Sequence, residues 1–259
     1  MCSSDLGVCE PCQLGQHQVC RNQHQPGFTR WGAFAQLTTV PFADINAVEV
    51  PGGVSDESAA LVGCRVSTAY RGVIERGRLA KGEVLCVYGC GGVGLAAVAM
   101  GRAVGATVVA VDVGAPSLEL AAALGADVVL NAGDHADVAA VVHEATGGAH
   151  VSVDCLGHAL TARNSVMSLR ALGRHVQIGL FPAATADFPV SRVIRDELEV
   201  LGVHGLSASR FDKVLDLMAR GLLDPSAMVT QRLSIDDIPE ALPAMGHFAR
   251  PGVSVVTAL

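Results

Sequence analysis

Val84-Leu-Cys-Val-Tyr-Gly-Cys-Gly-Gly-Val-Gly-Leu95 carries an apolar, β-rich run straight into Gly-x-Gly-x-x-Gly and on into an alanine-rich helical run. That order predicts a strand, a tight turn and a helix whose N-terminus receives the pyrophosphate of a dinucleotide, because free N–H groups and the helix dipole both favour an anion there. Gly89 permits the turn, Gly91 lets the backbone approach the phosphates, and Gly94 lets the helix pack on the strand it has left, with Gly92 and Val93 completing the cradle. Alone, the glycine pattern is weak evidence. It gains weight from Thr107-Val-Val-Ala-Val-Asp112, which reads as a second strand ending in an acid about twenty residues further on, the place of a ribose-binding carboxylate. A plainer reading stays open, in which Asp112 caps a helix beginning near Pro116 and Ser117.

Charge bears on which dinucleotide is expected. A carboxylate accepts hydrogen bonds from ribose hydroxyls and repels a 2′-phosphate, so NADP sites supply a nearby cation. Between Arg102 and Arg163 the chain has no Lys or Arg, and the loop Val113-Gly-Ala-Pro-Ser117 is neutral. The expectation is therefore NAD.

The chain has 259 residues, 50% of them hydrophobic, which is enough for one large domain or two small ones. Its net charge of −7 gives no electrostatic footprint for nucleic acid, and no basic cluster suits an anionic membrane. The uncharged run from Val84 to Gly101 is long enough to raise the question of a membrane span, but five glycines punctuate it and a buried strand plus helix fits better. No signal peptide is visible, and a cytoplasmic protein is expected.

Four cysteines, Cys64, Cys86, Cys90 and Cys155, lie apart within apolar runs, where a thiol is usually a small core hydrophobe. Cys9-x-x-Cys12 with Cys20, and turn-forming Pro11 and Gly15 between, has metal-ligand spacing in a loop. The same step backwards reaches position 6, where a fourth thiolate would stand; it is leucine.

Along the chain, residues 1 to about 62 look like part of a β-rich domain, with a strand over Trp31–Val40 and a helix over Ser55–Cys64. From Ser67 to Leu206, strand and helix patterns alternate, which predicts a doubly wound parallel sheet. The tail reads as helices over Ser209–Arg220 and Ile235–Met245 and a closing strand over Gly252–Thr257.

Together with the glycine loop, the motifs Gly7-Val-Cys-Glu-Pro-Cys-Gln-Leu-Gly15 with Cys20, Gly63-Cys-Arg-Val-Ser-Thr-Ala-Tyr70, Val153-Asp-Cys-Leu-Gly157, Gly173-Arg-His-Val-Gln-Ile-Gly-Leu180 and Leu201-Gly-Val-His-Gly205 resemble the zinc-dependent medium-chain alcohol dehydrogenase family. The resemblance implies a Rossmann sheet (67–206) inserted in a partial GroES-like catalytic domain (1–66), to which the chain returns (207–259). It implies a structural zinc at Cys9, Cys12 and Cys20, a catalytic zinc ligand at Cys64, Thr68 toward the nicotinamide, and segments lining the cofactor at Asp154, Cys155, Gly157, Ile178 and Leu180. If the Cys64 segment is helical, Cys64 and Thr68 share a face. The implied chemistry is hydride transfer between NAD and an alcohol or carbonyl compound, in a dimer or tetramer.

The sequence departs from the family where its other catalytic ligands, a cysteine and a Gly-His-Glu segment, should precede the structural-zinc lobe; neither is present, and His24, His158 and His204 match no ligand motif. Cys2-Ser-Ser-Asp-Leu6 can be encoded by the tail of a common sequencing-library adapter, so residues 1–6 are expected to be an assembly artefact on a truncated, catalytically incomplete chain. Two other readings compete: a zinc-independent quinone or enoyl reductase of the same architecture, which the cysteines and Asp112 oppose, and a non-catalytic dinucleotide-binding protein.

Overall fold

A computed structural model describes residues 7–181, 188–245 and 250–258. Cys2, Leu6 and the adapter-like stretch lie outside the described residues. Backbone packing divides the chain into two units, Met1–Thr68 with His204–Ala249 and Val253–Leu259, and Ala69–Val203 with Arg250–Gly252.

The second unit is built on six parallel strands: β1 (Val84–Tyr88), β2 (Thr107–Asp112), β3 (Val128–Asn131), β4 (Ala149–Asp154), β5 (Leu169–Gln177) and β6 (Glu199–Gly202). Their order is β3-β2-β1-β4-β5-β6. Each connection is a crossover, and helices Gly92–Val104, Ala115–Ala123, Val138–Thr146 and Ala159–Met167 supply most of them. Helices on both faces explain why all five residues of β1 are buried apolar side chains with no alternation. On one face Cys86, Tyr88, Val109, Val111 and Val142 pack into one core. The chain winds outward in opposite directions from β1 and from β4, so the crevice at their carboxyl ends is where an open sheet of this kind takes a ligand.

In the first unit, helix Asp56–Leu61 begins at Ser55, whose hydroxyl oxygen accepts the Ser58 N–H at 3.2 Å, and runs into a wide π turn over Val62–Val66. Strands β7 (Val229–Ser234) and β8 (Val253–Ala258) pair in parallel. Arg232 on β7 donates from Nε and Nη2 to the two oxygens of Glu57, at 2.6 and 2.7 Å.

Two expectations are corrected here. Trp31–Val40 is not a strand: it has no ladder partner among the described residues, and Trp31 and Leu37 are 94% and 90% exposed. The β-rich character expected before residue 62 is likewise missing from residues 7–62, where the described backbone forms isolated bridges, Pro26–Arg30 among them, and no strand. Strand hydrogen bonds need a second strand at the right spacing, which a hydrophobic pattern cannot guarantee. Conversely, β7 and the short helix Val190–Arg195 carry weak patterns and were not expected. Among the described residues no helix is long and apolar enough to cross a membrane.

Candidate functional site

At the carboxyl end of β1 the chain turns through Gly89, at φ +88°, into helix Gly92–Val104. A methyl group on Gly94 would lie 1.8 Å from the carbonyl oxygen of Gly89, so the helix rests directly on the turn below it. A methyl group on Gly91 would meet nothing within 4 Å. Gly91 is also the N-cap, and no side chain caps the helix, which leaves the amides of Gly92, Val93 and Gly94 to an incoming acceptor.

Asp112 ends β2 beside this turn. Its Oδ2 accepts the Cys90 N–H at 2.6 Å, and its Oδ1 accepts the amides of Val113 and Gly114, both at 2.8 Å. The capping reading fails on geometry: the N-cap of helix Ala115–Ala123 is Gly114, with no side-chain bond. Asp112 instead ties the glycine loop to the end of the neighbouring strand.

The loops after β4 and β5 close on each other through glycine. A methyl group on Gly179 would lie 2.1 Å from the Gly157 nitrogen, and one on Gly157 would lie 2.3 Å from the Leu180 oxygen. Asp154, fully buried at the end of β4, organises this crossing: Oδ1 accepts the amides of Leu156 (2.9 Å) and Gly157 (3.2 Å), and Oδ2 accepts Gln177 Nε2–H at 2.9 Å. The Cys155 amide donates to the Tyr88 carbonyl at 2.8 Å. Ile178 packs against Gly72, where a methyl group would come within 2.7 Å of its Cδ1, and Leu180 is exposed.

Sequence reasoning missed the partner of this crossing, His175. It is buried on β5, with Nδ1 3.0 Å from Ser165 Oγ and 3.4 Å from Ser152 Oγ, and Nε2 3.2 Å from Gln177 Oε1. Gln177 Nε2 donates to Asp154, so its Oε1 accepts from the histidine and the ring proton sits on Nε2. Burial holds this imidazole at about 4, and the ring is neutral. The available signal was two polar residues, His175 and Gln177, at alternate positions on either side of the apolar Val176.

The sulfur of Cys9 lies 3.4 Å from that of Cys12 and 3.6 Å from that of Cys20, and all three fall within 4.8 Å of one another. A tetrahedral zinc with Zn–S bonds of about 2.3 Å separates its sulfurs by about 3.8 Å, so these thiols fit three of four corners. Backbone N–H groups of Arg21 and Cys12 bring the Cys9 thiol down to about 7, while burial pushes Cys12 up to about 12. Cys86 and Cys90 are core thiols as expected, and Cys155 is half-buried. Cys64 is not: it is exposed in the wide turn Val62–Val66, while Thr68 is buried in the α turn Ser67–Tyr70 that follows. Among the described residues, Cys9, Cys12 and Cys20 are the only group of three or more potential ligands close enough to share an ion. A catalytic zinc takes three protein ligands and keeps one position open. Among the described residues no such group includes Cys64.

A family profile described as zinc-binding dehydrogenase matches residues 92–220. An alcohol dehydrogenase of Geobacillus stearothermophilus is 31% identical over 235 residues, covering 91% of this chain and 68% of that enzyme. The solved alcohol dehydrogenase TADH from Thermus sp. ATN1 superposes with a TM-score of 0.91 at 28% identity, over 100% of this chain and 76% of that one. A second structure, described as an NAD-dependent alcohol dehydrogenase, gives 0.89 at 28% identity, over 100% and 74%. With the parallel sheet and its glycine turn, these likenesses make the chain a member of the zinc-type medium-chain alcohol dehydrogenase family.

Proposed function

We propose that the second unit binds NAD and that the chain serves hydride transfer between NAD and an alcohol or its carbonyl counterpart. The observation that carries this reading is the bond from the Cys90 amide to Asp112, which sets a carboxylate beside an uncapped helix N-terminus. The amides of Gly92, Val93 and Gly94 would hold the pyrophosphate. A carboxylate has about four acceptor sites; three are taken by the amides of Cys90, Val113 and Gly114, which leaves one on Oδ2 for a sugar hydroxyl. The grip expected on both ribose hydroxyls is thereby reduced to one. Cys155, Gly157, Ile178 and Leu180 would line the cofactor beyond β4 and β5, on loops that Asp154 keeps rigid. When bound, NAD supplies the hydride acceptor. Cys9, Cys12 and Cys20 would hold a structural zinc. The family resemblance gives Cys64 and Thr68 to the reacting side; among the described residues no group of three or more potential ligands includes Cys64, so no step runs through a catalytic metal.

The test is a comparison of NADH and NADPH by fluorescence titration. Bare repulsion between Asp112 and a 2′-phosphate predicts at least about a tenfold preference for NADH, worth about 1.4 kcal/mol. Asp112→Asn keeps the carbonyl oxygen and removes the charge, and it is expected to erase that preference. Equal affinities in the wild-type chain would remove Asp112 from the site. A second reading, a dinucleotide-binding protein without dehydrogenase turnover, is favoured because, among the described residues, no group of three or more potential metal ligands includes Cys64. It predicts the same NADH affinity with no oxidation of any alcohol.

A further inference from the structure

The opposite, amino-terminal ends of β1, β4, β5 and β6 surround a second cavity, of about 460 Å³, ringed by Arg78, Glu83, His150, Arg170, Arg174 and Glu199. Three arginines against two glutamates leave this ring one positive charge while His150 is neutral. Two of the arginines are satisfied by carboxylates. Arg174 donates to Glu83 Oε1 at 2.5 Å, and Arg78 pairs with Glu199. Arg170 has no carboxylate partner among the described residues; its one hydrogen-bond-range neighbour is His150 Nε2, at 2.8 Å from Nη1.

That contact joins two donors. His150 Nδ1 accepts the Val84 backbone N–H at 3.0 Å, so the proton of the neutral ring sits on Nε2, facing the guanidinium N–H. Burial, and after it the Arg170 charge, lowers the imidazole's pKa and keeps it in this neutral form. The alternative of accepting from both Val84 and Arg170 is closed to an imidazole that carries a proton. The backbone is also strained around the cavity: Arg78 and Leu172, at φ +50° and +62°, are two of the four non-glycine residues with positive φ among the described residues.

We propose that this cavity binds a small tetrahedral oxyanion, phosphate itself or the phosphate group of a small ester, with one oxygen accepting from both His150 Nε2–H and Arg170. An anionic oxygen between the two groups converts a repulsive donor pair into two charge-assisted hydrogen bonds. The net positive ring selects anion over cation.

The test titrates the full chain with inorganic phosphate, and separately with glycerol phosphate, at constant ionic strength, following the His150 imidazole resonances. Saturable movement of those resonances is expected, with binding weakened at least fivefold in Arg170→Ala and less in Arg170→Lys. Response to both compounds identifies a phosphoryl group as the ligand; response to inorganic phosphate alone identifies the free ion. His150 resonances that stay still, or saturation unchanged in Arg170→Ala, would overturn the site. Arg170 is exposed, so its replacement leaves the core packing in place. Phosphate settling at the glycine turn would leave His150 unmoved and survive Arg170→Ala, so failure here is distinguishable from failure of the nucleotide reading.

Discussion

Gly94 has no room for a side chain, because the Gly89 carbonyl stands 1.8 Å from where its Cβ would be. Gly94→Ala must therefore lift the helix from the turn, and a destabilisation of about 3 kcal/mol is expected, at the upper end of overpacking costs. Chemical denaturation measures it, and a loss below about 1 kcal/mol would show that the turn yields easily. At this scale the sequence was informative where stereochemistry is local: Gly89, Gly91 and Gly94 are readable because each answers a constraint set by its immediate neighbours. Asp112 was readable as an acid at a strand end, but not its bond to Cys90, which depends on strands β1 and β2 lying side by side. Composition alone suggests a core thiol at Cys64 and the family resemblance a metal ligand; the wide turn over Val62–Val66 leaves it exposed, which removes the first of these readings.

Strand β5 joins core packing to the carboxyl end of the sheet through His175 and Gln177. The folded-state value for His175, about 4, lies below the ordinary 6.5, so between those values the unfolded chain binds more protons than the folded one. The contribution of the neutral imidazole is thus fully present above pH 6.5 and is lost as pH falls toward 4, to an extent on the order of 3 kcal/mol. Denaturation midpoints from pH 7 to pH 4 should fall more steeply for the wild-type chain than for His175→Asn. Parallel curves would mean that His175 titrates alike in both states. Elements with strong local patterns were legible, and helix Gly92–Val104 runs over the residues its sequence indicates. Those that rely on a distant partner were not. β7 has apolar residues only at Val229 and Leu233, and it is held by pairing with β8 and by the Arg232–Glu57 ion pair. The Trp31–Val40 pattern has no such partner among the described residues and bends without forming a ladder.

For the molecule as a whole, alternation of strand and helix patterns made the parallel sheet legible, and the right-handed crossover rule left few topologies to consider. The strand order then puts the glycine turn of β1 beside the loop after β4, where a Cβ on Gly89 would touch Leu156 at 3.3 Å. The family's other catalytic ligands match no motif in the sequence, and among the described residues no group of three or more potential ligands includes Cys64. The most direct measurement is NADH titration of the wild-type chain beside Gly91→Ala, since a methyl group there meets no protein atom within 4 Å and fills only the space proposed for the phosphates. Saturable binding by the wild type, weakened at least about tenfold in a variant whose denaturation midpoint is unchanged, is the expected result. No binding by the folded wild-type chain, or equal binding by both, would contradict the placement of the dinucleotide on this turn.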